Sequence, residues 1–313
     1  YPSAALTEDK MGRTPLHHAA SIIALRGGKP IAEDASGCIL QELVLMHPNT
    51  ATIADKDGKL PLHIAAMVIE TWDVGVQAVY EMFPHALGRR TTRKANSRCP
   101  IHLVSSNPDA KRGAVDAILG KDPRGATLMD GDGMLPLHIM CESGKTWKGG
   151  LECVYDAYSK AIGIAEDNGR GWLPLHFIVA VPGVSPDLIR KIIGLCPEAA
   201  RKVDGNGKTP LHVIVESGKD WGYVEPVFLA NPNAIIVEDS QGKVPLIAAA
   251  LCVCDDSGVS NSINGGERVA DEMISPSSQS YGGERSDTVS RDTSLSQLNI
   301  LHKLLMAAPY VLN

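Results

Sequence analysis

Apolar residues fall along this chain in two alternating kinds of short block. One opens on proline and runs on through leucine and histidine into small or branched residues: PLHHAA, PLHIAA, PIHLVS, PLHIMC, PLHFIV, PLHVIV and PLIAAA. The other is a denser run, such as ELVLMH, AVYEMF, IIGLC or VFLA, that ends at or next to a proline. Proline is tolerated at the first position of a helix, where its missing N–H costs nothing, but it stops a helix that runs into it. The first block therefore predicts a helix that starts at its proline, and the second a helix that ends before one. Pro2, Pro48, Pro84, Pro123, Pro197 and Pro232 are the stopping prolines, most of them thirteen residues before the next phrase, and Ala161 takes the place in one unit.

The phrase prolines Pro15, Pro61, Pro100, Pro136, Pro174, Pro210 and Pro245 are 35 to 46 residues apart, a spacing that belongs to stacked supersecondary units. Six residues before the phrase proline stands Asp9, Asp55, Asp130, Asn168, Asp204 or Asp239, and three before it Gly12, Gly58, Gly133, Gly171, Gly207 or Gly242. Asp or Asn followed by Gly is turn chemistry. The third unit departs from the pattern, with Lys94 and Ser97 at these places. One unit is thus turn, helix, link, helix. None can bury its apolar faces alone, so the core comes from stacking.

These motifs resemble the ankyrin-repeat family over nearly the whole chain: Asp, then Gly, then Thr-Pro-Leu-His, then Ala. The resemblance implies an all-α repeat solenoid of stacked antiparallel helix pairs with protruding β-turn hairpin loops. It also implies a role in binding proteins and implies no reaction. Thr14 and Thr209 precede the phrase proline as the family has it and are expected to cap the helix, whereas Leu60, Cys99, Leu135, Leu173 and Val244 replace the threonine. Those five starts are expected to lose a cap of about 1 kcal/mol and to gain packing surface.

Two units nearly repeat each other: PLHIMCESGKTW from Pro136 and PLHVIVESGKDW from Pro210 agree at eight of twelve positions. Trp72, Trp147 and Trp221 recur in phase, which suits structural anchors at the link between helices.

The expected organisation is residues 1–254 for repeats one to six and the first helix of the seventh, 255–296 for a disordered Ser/Gly/Asp-rich insertion, and 297–313 for the last second helix. Thr288 and Ser294 each follow an arginine by three residues and are candidate phosphorylation positions in that insertion. A smaller insertion lies near RGGKPIAEDASG in the first unit. Both ends cut the repeat at the same phase, which predicts an excised segment of a longer polypeptide.

Composition removes several function classes. A net charge of −6 argues against nucleic acid as a partner. The best apolar run, Val244–Cys254, is too short to span a bilayer. Seven scattered cysteines favour a reducing, cytoplasmic setting. Metal sites fit poorly. The phrase histidines His17, His63, His102, His138, His176 and His212 would lie about 10 Å apart in successive units, while zinc needs ligands about 2 Å from one centre. They are better suited to bond the neighbouring hairpin's backbone. His138 with Cys141 and Cys252 with Cys254 lack second pairs, and the calcium-like DKDG at Asp55 has Leu60 where glycine is required. No cofactor is expected, and a metal-dependent enzyme is the weakest of the readings.

The residue two before each phrase proline is expected to point outward. Arg13, Lys59, Arg98, Lys208 and Lys243 would then form a basic ridge, broken by Met134 and Trp172 as two exposed apolar side chains flanked by Arg170 and Lys208. These eight residues are the expected docking site of a monomer for a protein partner, and an acidic segment on that partner would suit the ridge. The alternative is a regulatory or anchoring segment of a larger signalling or membrane protein.

Overall fold

In a computed structural model, which describes residues 5–22, 36–247 and 298–306, the chain is a stack of short helix pairs, with no strand among those residues. Each phrase proline opens a first helix: α1 Pro15–Ile22, α3 Pro61–Val68, α5 Pro100–Ser106, α7 Pro136–Glu142, α9 Pro174–Ala180 and α11 Pro210–Glu216. The second helices are α2 Ser36–Met46, α4 Val74–Met82, α6 Arg112–Lys121, α8 Leu151–Ala157, α10 Pro186–Leu195 and α12 Trp221–Ala230, and residues 298–306 form a further helix. A seventh first helix opens at Pro245. The insertion expected at 255–296, its two candidate phosphorylation positions and most of the smaller one near residue 30 lie outside the described residues.

A first helix of two turns is too short to persist on its own. It persists here because nearly all of it is buried: Pro61 to Ala66, Pro100 to Ser105, Pro136 to Cys141, Pro174 to Val179 and Pro210 to Val215 are all inaccessible. Successive first helices pack on one another along the whole row from α1 to α11. The second helices form the outer layer, and the core is one continuous apolar seam between the two layers.

The stopping prolines do more than end a helix. The five within the described residues each start a 3₁₀ turn, Pro48–Thr52, Pro84–Gly88, Pro123–Thr127, Pro197–Arg201 and Pro232–Ile236, and every one of these turns buries a residue pair such as Ala199 and Ala200. In the fourth unit the turn is Ser159–Gly163, so Ser159, not Ala161, stands at the proline's place.

The aspartates close the hairpins as expected. The Asp55 backbone N–H donates to the Lys59 carbonyl, and its Oδ1 accepts the N–H groups of Asp57 (2.9 Å) and Lys59 (2.8 Å). Asp9, Asp130, Asp204 and Asp239 repeat this arrangement. Two hairpins differ from the expectation. In the third, Thr91, not Lys94, takes the aspartate's role: its N–H donates to the Arg98 carbonyl and its hydroxyl accepts the Arg98 N–H at 2.8 Å. That hairpin is longer, and Asn96 and Ser97 supply the left-handed backbone that glycine supplies elsewhere (φ 60° and 47°). In the fifth, Glu166, not Asn168, bonds back to the Trp172 carbonyl. Its longer loop also accounts for the shift from Ala161 to Ser159.

Gly133 marks one of the close contacts between hairpins. It has φ +70°, and a Cβ there would sit 2.7 Å from the Cβ of Asp167 in the next unit. Gly133→Ala is expected to destabilise the protein by roughly 2 kcal/mol or more, whereas Gly120→Ala, inside α6 with open space around it, should add roughly 0.5–1 kcal/mol. Urea unfolding of both variants checks this pair.

Candidate protein-interaction surface

The phrase histidine organises every junction. Its Nδ1 accepts the backbone N–H of the residue before the phrase proline, for example Leu60 N–H to His63 at 3.1 Å and Leu135 N–H to His138 at 3.0 Å. The same bond occurs at His17, His102, His176 and His212. Because Nδ1 accepts, Nε2 carries the hydrogen, and it donates to a carbonyl of the following unit. The acceptors are Lys59 (3.0 Å), Arg89 (3.0 Å), Leu128 (2.8 Å), Ile164 (2.8 Å), Lys208 (3.3 Å) and Lys243 (3.1 Å) for the six histidines in order. Both ring nitrogens are therefore engaged in bonding the stack together.

This arrangement corrects the expected loss of caps. Thr14 and Thr209 do not cap through helix amides; their hydroxyls reach Nδ1 of His17 and His212 at 2.9 Å. The N-cap amide is satisfied by the histidine whether threonine, leucine or cysteine precedes the proline. The leucines at this place gain burial without losing the cap.

The residues two before the phrase prolines are not a free ridge. Arg13 lies 3.5 Å from Asp55 of the next unit, and Arg98 Nε donates to Asp130 Oδ2 at 2.9 Å. Trp172 Nε1 donates to Asp204 Oδ2 at 3.0 Å. Lys59 pairs with Asp57 of its own hairpin and Lys208 with Glu216 of its own helix. Lys243 is half-buried. Met134 contradicts the expectation of an exposed side chain: it is only 3% exposed and belongs to the core. An apolar side chain at this place has no aspartate to reach for, so it folds onto the first-helix row.

What remains open at the hairpin edge centres on Arg170. Its side chain is 43% exposed; Nε bonds buried Glu166 at 3.1 Å, and Nη2 approaches Glu142 of the preceding unit at 3.9 Å. The guanidinium lies over the rings of Trp172 and Phe177, with centroids 5.0 and 5.4 Å away, and those two rings meet edge to face at 5.1 Å. Burial pushes the Glu166 carboxyl up, and Arg170 opposes the shift. Exposed Glu142 and Glu216, each at the end of a first helix, flank this platform. Sequence reasoning missed both glutamates, although the duplicated ESGK segments contain them.

The in-phase tryptophans sit at the starts of second helices and anchor them. Trp72 packs against Tyr80, Trp147 against Tyr155 and Trp221 against Phe228, with centroids 6.0, 5.5 and 6.1 Å apart. The duplicated lysines are anchors too. Lys145 Nζ donates to the Pro108 and Ala110 carbonyls, and Lys219 Nζ to those of Val179 and Val181, at 2.6–2.7 Å. With no acid at hand, burial pushes the Lys219 ammonium down to about 8.

These features define a helical repeat stack. The fold is that of ankyrin-type repeats. The human ASB11 ankyrin repeat domain superposes with TM-score 0.54 at 18% identity, over 75% of this chain and 90% of that one. A chain in the structure of the Bdellovibrio bacteriovorus predatory endopeptidase Bd0816 in complex with immunity protein Bd3460 superposes with TM-score 0.50 at 12% identity, over 62% of this chain and 92% of that one. No family model matches the sequence, and no curated protein does. Among the described residues no helix is long and apolar enough to cross a membrane.

Burial lowers the pKa of all six phrase histidines, and those of His63, His102 and His176 fall to about 4. The unfolded chain, with histidine near 6.5, binds protons first as the pH falls, so stability is full above about 6.5 and is lost between there and about 4. At pH 5 those three histidines should each cost about 2 kcal/mol. Urea midpoints measured from pH 7.5 to pH 5 should fall steeply, and His102→Gln should flatten the slope.

Proposed function

We propose that this stack is a non-catalytic docking module that binds a protein partner along its hairpin tips and first-helix face. The observation that carries this reading is the Arg170–Trp172 platform: a partly exposed guanidinium whose centre lies 5.0 Å from the Trp172 ring at the middle of the hairpin edge, above the buried Phe177 ring. Arginine and tryptophan dominate the energetics of protein interfaces because they combine large desolvated area with directional polar groups. Arg170 donates Nε and Nη2 to buried Glu166 and keeps the outer edge of its guanidinium for an acceptor on the partner, and half-buried Trp172 offers apolar area beside it. Half-buried Lys243 lies further along the same edge, while Arg13, Lys59, Arg98 and Lys208 are held by carboxylates of the stack and act in docking only through the charge they leave at its rim. A partner segment with an acidic group next to an apolar one fits this order, and the module acts as an intracellular monomer. Residues 1–254 and 297–313 supply the repeats, and 255–296 is an insertion tolerated between the two helices of the last.

The test is affinity capture from native extract with the intact protein, Arg170→Gln, and Leu229→Ser on the exposed second-helix face, each checked for native circular dichroism. A partner bound by the intact protein and by Leu229→Ser, but reduced at least tenfold by Arg170→Gln, is the expected result. Equal recovery with Arg170→Gln and loss with Leu229→Ser would move docking to the second-helix face.

A further inference from the structure

The seven phrases suggest one period, but the junctions between units come in two kinds. Where an odd unit meets the following even one, the residue two before the odd unit's phrase proline is Arg13, Arg98 or Trp172, and it reaches Oδ2 of Asp55, Asp130 or Asp204 in the even unit. Arg98 and Trp172 donate an N–H to a carboxylate whose other oxygen already holds its hairpin closed, and Arg13 lies 3.5 Å from such a carboxylate as an ion pair without a hydrogen bond. Where an even unit meets the following odd one, the same place holds Lys59, Met134 or Lys208, and none reaches forward: the lysines pair within their own units and Met134 is buried. Units three and five have Thr91 and Glu166 where a receiving aspartate would be, and in unit seven Asp239 is present but Lys208 pairs with Glu216 instead.

The second helices follow the same alternation. α2 packs on α4, α6 on α8 and α10 on α12, whereas α4 stands away from α6 and α8 from α10, although the first helices are in contact along the whole row. The wider gaps hold the in-phase tryptophans. Lys121 of α6 lies over Trp72 and Tyr80 at 5.4 and 4.7 Å, and Lys191 of α10 lies over Trp147 at 4.4 Å. Lys303, in the last helix, lies over Trp221 at 5.5 Å. The aromatic partner four residues before the 3₁₀ turn is Tyr80, Tyr155 or Phe228 in even units, against Val44, Leu119 and Ile193 in odd ones. The lysine clamps also fall within pairs, Lys145 joining units four and three, and Lys219 units six and five.

We propose that the mechanical unit of this protein is a pair of repeats, and that the stack bends at the junctions between pairs, two to three and four to five. Within a pair, buried polar bonds at the hairpin edge and close helix packing on the outer face fix both edges. Between pairs, the first helices act as the pivot while an aromatic and lysine wedge, which tolerates sliding because ring faces impose weak directionality, fills the outer gap. Junction two to three keeps polar ties at the link, Asn107 Nδ2 to the Ile69 carbonyl at 2.9 Å and Lys111 to Glu70 at 2.8 Å. Junction four to five has the exposed 3.9 Å approach of Glu142 and Arg170 and a long hairpin bond, Asp167 N–H to the Gly133 carbonyl at 3.3 Å. It is the principal hinge, and it lies beside the Arg170 platform, so bending there changes the spacing of Glu142 and Arg170.

Equivalent backbone amides report on each junction: Thr92 N–H to Asp57, Gly131 N–H to Asn96, Asp167 N–H to Gly133 and Gly205 N–H to Arg170. Hydrogen exchange of the intact chain, read by NMR as protection factors, should alternate, with Thr92 and Asp167 at least tenfold less protected than Gly131 and Gly205. Equal protection at these four interior junctions, or a smooth gradient from the chain ends, would overturn the proposal. Trp147→Leu supplies a second reading. It should lower protection at Asp167 tenfold or more and leave Gly131 unchanged, whereas a uniform loss across all four amides would show one cooperative stack instead of pairs.

Discussion

Each first helix starts with a backbone N–H that proline's rigid geometry leaves facing inward, and each unit ends in a carbonyl that needs a donor from outside the unit. One neutral imidazole satisfies both. The phrase histidine takes the N-cap amide on Nδ1 and gives its Nε2 hydrogen to the next unit's hairpin, so the start of one repeat is joined to the turn of the next. The rest of the structure depends on that bond. Short, fully buried helices cannot tolerate an orphaned amide, and the same bond sets the distance at which Gly133 and Asp167 can meet.

The second constraint is that buried polar groups need partners, and this chain finds many of them between units, Arg13 Nε and Asp55 Oδ2 being buried atoms that meet as an ion pair without a hydrogen bond. The hairpin aspartates use one oxygen at home and, in even units, offer the other to a neighbour. Charges that look available for a partner are consequently spent on the stack itself: Arg13 and Arg98 lie against carboxylates with no solvent exposure. The surface left over is a patch around Arg170 where a guanidinium rests on Trp172 and Phe177. Docking and bending then meet at one place, because the platform lies at a junction between repeat pairs.

Much of the fold was legible in the sequence because the punctuation is explicit. Phrase prolines mark seven described helix starts, stopping prolines mark five 3₁₀ turns, and Asp with Gly marks the tight hairpins. Structural roles for the histidines and the recurring tryptophans could be read from their phase. What could not be read was anything that needs two units at once. The third and fifth hairpins are longer, so a fixed offset from the phrase proline selected Lys94 and Asn168 where Thr91 and Glu166 act. Met134 and Trp172 occupy equivalent positions, yet one is buried and the other bonds Asp204, because the residue each faces in the next unit differs. A reading that treats every repeat as equivalent also hides a period of two.

The stack depends most directly on the tautomer of the phrase histidines. Long-range proton–nitrogen correlation of the imidazole rings, with the intact protein at pH 7, reads which nitrogen carries the hydrogen. Neutral rings protonated on Nε2, with Nδ1 bare, at His63, His102, His138 and His176 are the predicted result. Imidazolium signals, or rings carrying the hydrogen on Nδ1, would contradict the bond on which the stack is built.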